Sequence, residues 1–284
     1  MHTEDTEEAF DWASHLKAYL STDEETNIEI AFQFLTSLGL PDDVELYELL
    51  RSSDMKICYC LRHDMLAPIL DITKLDLHTW NLEEILPKLP LLKRLEELNL
   101  AECAIKSLPR DFAELEHLQV LNLAFNRLTE LPQDFKRLVE LTDLDLECNP
   151  LTALPDGFWE LSKLKNLSLE DTKLTSITGI HLLEALEELD LRDSQIAIIP
   201  EEIGKLSQLK ILKVARCPIK SLPATIAQLQ NLELLYIGDI EGLQLPEWIV
   251  ELPNLKELSL SKSQISDVLE AKLRQAMPTL EIKF

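Results

Sequence analysis

The chain of 284 residues carries 51 acidic against 27 basic side chains, a formal net charge of −24, and 46% of its residues are hydrophobic. So large a surplus of acid argues against nucleic acid or an anionic membrane as a direct partner, because both need Lys and Arg to displace counterions. Five cysteines at irregular spacing read as reduced thiols; with no signal-like run near the start and no apolar stretch of ~18 residues, a soluble, cytoplasmic protein is expected.

Residues 1–71 hold 16 acidic and 4 basic residues, so a quarter of the chain carries half of the net charge. The first eight or so residues are expected to be disordered, followed by a short helix near Phe10 to Leu20. Ile28, Ala31, Phe32, Leu35 and Leu38 then fall on one helical stripe. Thr22 with Glu25 has the spacing of a capping box at its start, and Gly39-Leu40-Pro41 supplies its stop. Further helices are expected from about Asp43 to Leu50 and across Met55 to Met65. This acidic helical region is read as a cap for the repeats that follow, with its charge facing water. Cys58, Cys60 and His63 put three possible zinc ligands close together. A structural zinc site wants four, so buried free thiols are expected and no metal or cofactor is called.

From residue 72 to 266 one phrase recurs: leucine, two residues, leucine, one residue, leucine, two residues, a small polar residue, one residue, then Leu or Ile. It begins at Leu95, Leu118, Leu141, Leu164, Leu186, Leu209, Leu232 and Leu255, at intervals of 23 residues with a single 22. A degenerate unit from Ile72 brings the count to nine. In the unit from Leu118 to Glu140, Leu121 and Leu123 share the inward face of a strand, while Val120, Asn122 and Ala124 point outward. Asn126 stands at the turn, where an amide can satisfy backbone groups leaving the ladder. Pro132 suits the first position of a short helical segment on the far side, covered by Phe135 and Leu138. One unit cannot bury its apolar face alone, so the units must stack and their strands line up in parallel.

Several units depart from the phrase. The turn slot holds asparagine only at Asn126 and Asn149; elsewhere it holds Trp80, Cys103, Thr172, Ser194, Cys217, Ile240 and Ser263. The unit from Leu164 is one residue short and has Thr178-Gly179 where others have proline, so its far-side segment should differ. Gly238 and Gly242 bracket the turn of the eighth unit and invite a bulge or loop. Residues 267–284 read as a closing cap: a helix from about Asp267 to Ala276, stopped near Pro278, then Leu280, Ile282 and Phe284 as a last strand. No catalytic domain is expected to follow.

The leucine phrase, with LPRDF, LPQDF, LPDGF, IPEEI, LPATI and LPEWI in phase, closely resembles the leucine-rich-repeat family over about three quarters of the chain. The resemblance is strongest to its 23-residue type, seen in Ras-suppressor-like, plant intracellular Ras-group and stand-alone bacterial proteins. It implies an α/β leucine-rich-repeat solenoid (horseshoe) with a parallel concave sheet, a helical N-terminal cap and a short helix-strand C-terminal cap. It also implies a scaffold that binds protein and performs no catalysis. Ras-suppressor-like relatives suggest an alternative, a regulatory subunit of a GTPase or phosphatase-type enzyme; a self-assembling structural protein is a further one. Glycines are too few for a nucleotide cradle, and no histidine lies in phase with Cys148 to activate it.

Strand registration names the side chains on the concave face. Glu97, Asn99, Asn122, Asp143, Asp145, Glu147, Glu170, Glu188 and Asp190 are the expected partner-binding set, with Arg192 alone against them. Phe125 and Tyr236 are expected as exposed aromatic anchors. Stacked like charges repel across strands, which points to a basic protein partner. Reversing Asp145 and Asp190 to lysine is expected to abolish binding and leave the fold intact.

Overall fold

A computed structural model describes residues 12–41 and 43–284, so the expectation for the first eight residues lies outside the described part. The chain divides into two compact units, residues 1–72 and 73–284. The first contains helices α1 (Trp12–Leu20), α2 (Glu25–Leu38), α3 (Val44–Leu50) and α4 (Asp54–Arg62). Ile28, Ala31, Phe32 and Leu35 bury the expected stripe of α2, and the chain leaves it at Gly39 with φ of +87°, a left-handed turn that glycine makes without a Cβ penalty. The Thr22–Glu25 capping box does not form: Thr22 Oγ1 donates to the Tyr19 carbonyl and accepts from Asn27, and α2 starts one residue after Glu24. Helix α4 stops at Arg62, short of Met65. Its buried Lys56 is anchored by Asp23 at 2.9 Å and by the Ser52 hydroxyl. Among the described residues no helix is long and apolar enough to cross a membrane.

The second unit is one sheet of ten parallel strands in sequence order, β1 (Lys74–Asp76), β2 (Glu97–Asn99), β3 (Val120–Asn122), β4 (Asp143–Asp145), β5 (Asn166–Ser168), β6 (Glu188–Asp190), β7 (Ile211–Lys213), β8 (Leu234–Tyr236), β9 (Glu257–Ser259) and β10 (Glu281–Lys283). Each strand is three residues long because only the middle leucine must point inward before the chain turns; Leu98, Leu121, Leu144, Leu167, Leu189, Leu212, Leu235 and Leu258 form that buried row. The last strand follows α5 (Asp267–Ala276), whose first turn is capped by Ser266 accepting from the Leu269 N–H.

Short 3-10 turns close the opposite side. Phe112, Phe135 and Phe158 stack there in phase and are continued by Ile180, Ile203, Ile226 and Ile249, all fully buried. Pro109, Pro132, Pro200, Pro223 and Pro246 stand one position before these turns, in extended backbone, instead of at their first residue. A proline there closes the strand side while its missing N–H leaves the turn's own donors untouched. In the fifth repeat the turn shrinks to Ile180–Leu182, entered through Gly179 at φ of +102°. A Cβ on Gly179 would stand 2.5 Å from the Trp159 ring, so close packing as well as backbone requires glycine.

Stacking is completed by side chains in the turn slot. Asn126 donates to Leu100 O and Asn149 to Leu123 O, and each accepts a backbone N–H of the preceding repeat, from Ile105 and Leu128. Where asparagine is absent, Cys103 and Cys217 send their thiols to the corresponding carbonyls of Leu77 and Leu191. Thr172 serves the Leu169 carbonyl of its own repeat. In the ninth repeat it is Gln264, not Ser263, that reaches back to Ile237 O. Of the bulge or loop expected between Gly238 and Gly242, the strand itself shows no bulge, since β8 keeps register with both neighbours, and Gly242 lies in the turn beyond it at φ of +76°; a Cβ on Gly238 would lie 2.8 Å from the Tyr236 ring.

Candidate functional site: the outward strand face

Two columns of side chains leave the sheet on its solvent face. The first contains Glu97, Val120, Asp143, Asn166, Glu188, Ile211 and Leu234; the second Asn99, Asn122, Asp145, Ser168, Asp190, Lys213 and Tyr236. Beyond the strand ends follow Glu147, Glu170 and Arg192. Ala124 occupies the same repeat position as Glu147 and Arg192, but its single methyl group does not rise above its neighbours, so it is buried instead of outward as expected.

The second column has a local duty that its composition did not reveal. Asn99 and Asn122 accept the N–H of Ala101 and Ala124 at 3.1 and 2.9 Å, and Asp145 and Asp190 accept those of Glu147 and Arg192 at 3.0 and 3.2 Å. Each short side chain thereby holds the backbone as it leaves the sheet. The next turn is left-handed in eight consecutive repeats without one glycine, at Thr79, Glu102, Phe125, Cys148, Asp171, Asp193, Arg216 and Asp239, with φ between 49 and 67°. This geometry, invisible in residue type except for the three aspartates, sets Phe125 outward with half of its surface exposed.

The charges are unevenly satisfied. Arg192 lies along Asp190, with Nε 2.9 Å from Oδ1 and Nη2 2.7 Å from Oδ2, and the same Nη2 also pairs with Glu170. Lys213 joins Glu188 at 2.6 Å and Asp190 at 3.3 Å, and Arg216 holds Asp193 through Nε at 2.7 Å. Two expectations are corrected here. Arg192 does not stand alone against the acids, because cations of two adjacent repeats, Arg192 and Lys213, converge on one carboxylate. Asp190 is only 5% exposed, a buried counter-ion and not a solvent-facing contact. Tyr236 is half-buried, with the Arg192 guanidinium 6.0 Å from its ring centre, so it is partly committed within the molecule.

Towards the N-terminal repeats the picture reverses. Glu97 is paired with Lys74 at 2.6 Å, but among the described residues no cation pairs with Asp143, Asp145 or Glu147. Asp143 accepts only from the Thr142 hydroxyl and the Asn166 amide. Burial, then the charge of Asp190, raises the Asp145 carboxyl above its ordinary range; burial and then Asp145 raise Glu147. Glu170 is also raised, by burial and Asp190, with Arg192 opposing. A depression of about 420 Å³ collects this chemistry, lined among others by Val120, Asp143, Asp145, Glu147, Asp190 and Arg192. Of the expected site residues, Asp143, Asp145 and Glu147 gather beside Phe125, while Glu170, Glu188, Asp190 and Arg192 form an internal ion-pair network.

Nucleophile and metal chemistry have little footing. The Cys148 thiol is pushed up to about 12 by burial and by Asp171 and Glu147, and Cys60 likewise to about 12 by burial and Cys58. No cluster of three or more metal-ligating side chains occurs among the described residues.

Sequence models of leucine-rich repeats match residues 93–196 in three overlapping copies, and a model of a leucine-rich repeat region matches residues 173–282. The chain is a leucine-rich-repeat protein. No curated protein matches it in sequence. Among solved structures it is similar to a leucine-rich-repeat protein of Leptospira interrogans, with 29% identity and a TM-score of 0.65 over 76% of this chain. It spans 62% of that chain's length. It is also similar to internalin C2 of Listeria monocytogenes, with 26% identity and a TM-score of 0.58 over 68% of this chain and 81% of that one. The leucine-rich repeat domain of the type III effector XopL shares the fold at 22% identity, with a TM-score of 0.67 over 95% of this chain and 93% of that one. Leucine-rich-repeat proteins are in general scaffolds for protein–protein interaction, and that coarse description holds for this leucine-rich-repeat protein.

Proposed function

We propose that this protein binds a protein partner with a basic surface on its outward strand face and acts as a scaffold without catalysing a reaction. The observation that supports this reading is the acid left without an ion pair at Asp143, Asp145 and Glu147, on an open face large enough for a globular partner, while Glu97, Glu188 and Asp190 in the same columns have cations of their own. Such charges steer a basic partner and set the salt dependence of its association.

The test is capture on the immobilised full chain at low and at high salt, followed by affinity measurement on the retained protein. The reversals Asp143→Lys and Glu147→Lys replace any reversal at buried Asp190. Both residues are half-buried at the surface, so far-ultraviolet circular dichroism should be unchanged while affinity falls at least tenfold and salt sensitivity weakens. Affinity indifferent to both the reversals and salt would refute the proposal.

A further inference from the structure

We infer that the third and fourth repeats form the recognition centre of this face, and that it takes a protein segment presenting an arginine or lysine next to a large apolar side chain. The inference rests on the proposed scaffold function and narrows it to one place and one partner chemistry.

Three observations converge. Val120 and Phe125 belong to the third repeat, are 37% and 51% exposed, and stand on a sheet face that the described residues leave open above them. The neighbouring Ala101 and Ala124 are small and buried, so the half-buried Asn122 is the side chain that stands between the two apolar groups. One strand further, at the ~4.8 Å spacing of adjacent strands, come Asp143, Asp145 and Glu147. Apolar surface and unpaired carboxylate are thus neighbours: Val120 lines the depression with Asp143, Asp145 and Glu147, and Phe125 is tied to the fourth repeat through its N–H to the Glu147 carbonyl.

The sheet supplies its own comparison. Glu170, Glu188, Asp190 and Asp193 lie in the same columns or just beyond them, and Arg192, Lys213 and Arg216 answer all four. Among the described residues no ion pair on this face does for the fourth repeat what these three cations do for the fifth to seventh, although the charge of Arg192 also reaches Glu147. A guanidinium or ammonium from outside would restore the same pairing, and Arg192 and Lys213 would repel it from the next repeats. The partner's cation is therefore confined to the fourth repeat. Its apolar neighbour then meets Val120 and Phe125. An anionic lipid surface or nucleic acid is opposed by these carboxylates, and a purely apolar segment would leave them desolvated without a counter-charge.

Selection of random dodecapeptides on the intact protein tests this without a known partner. Four variants sort the binders: Asp145→Asn with Glu147→Gln, Phe125→Asn, Leu234→Ala and Tyr236→Ala. Asn at position 145 can still accept the Glu147 N–H, and Asn at 125 suits left-handed backbone, so neither disrupts the turn. The expected result is enrichment of Arg or Lys adjacent to a large apolar residue. Affinity should fall at least tenfold in the first two variants and less than twofold in the last two. Binders sensitive only to Leu234 and Tyr236 would overturn this inference and leave the scaffold reading standing. Binders indifferent to all four would remove both. Enrichment of acidic peptides, or none beyond that on the Asp145→Asn, Glu147→Gln protein, would also overturn it.

Discussion

Replacing Asp190 by asparagine probes the ion-pair network that separates the two halves of the face. The carboxylate accepts two bonds from the Arg192 side chain and one from its backbone, and forms an ion pair with Lys213. Asparagine keeps an oxygen for the Arg192 N–H but removes the charge. Breaking one partner of a buried pair costs about 3–5 kcal/mol when the other ion is stranded. Here Arg192 and Lys213 are about a quarter exposed and keep Glu170 and Glu188, so the loss should be smaller, about 2–3 kcal/mol. Because a solenoid can unfold in segments, global urea unfolding should be paired with hydrogen exchange at β6 and β7, where protection should drop most. Adding Lys213→Met should recover about half of the loss, since it removes a cation left in excess. A loss under about 0.5 kcal/mol, or no recovery in the double variant, would refute the argument that Asp190 is a buried counter-ion. Asp190→Lys would place three cations together and should destabilise far more, contrary to the sequence-based expectation that this reversal leaves the fold intact.

Asn149→Ala removes one acceptor and one donor that tie the fourth repeat to the third, and should cost about 3 kcal/mol in urea unfolding, with a change within 1 kcal/mol counting against the ladder. Asp145 and Glu147 have folded-state pKa values raised above their ordinary range, so the stability they contribute is present below that range and is lost as pH rises through the raised values. The Asp145→Asn, Glu147→Gln protein should therefore be more stable than the parent at pH 7, with the difference fading as pH falls to about 4; a gain that grows on acidification would reverse the sign. Cys148, with a thiol pushed to about 12, should react with iodoacetamide at pH 8 about two to three orders of magnitude more slowly than an unstructured cysteine, despite its partial exposure, as mass spectrometry of the labelled peptide would show.

Much of the architecture was legible before any coordinates. Leucines returning at a fixed interval can be buried only by stacking, so the period alone determined a parallel sheet, its register and the phase of the phenylalanine column behind it. The C-terminal helix was equally readable, because Ser266 and Pro278 punctuate it locally. Which acids face a partner was not. Asp145 and Asp190 occupy identical places in the repeat, yet one lacks a cation and the other is buried under two. That difference arises from Arg192, two residues on in the same repeat, and from Lys213 reaching across from the next strand, and side-chain reach between repeats has no signature in a single repeat's sequence. The left-handed turn that exposes Phe125 was hidden for a related reason: stacked hydrogen bonds impose it on whatever residue stands there, so residue type carries little trace of it. Composition and period decided the scaffold; only the three-dimensional stack decided where its charge remains unanswered.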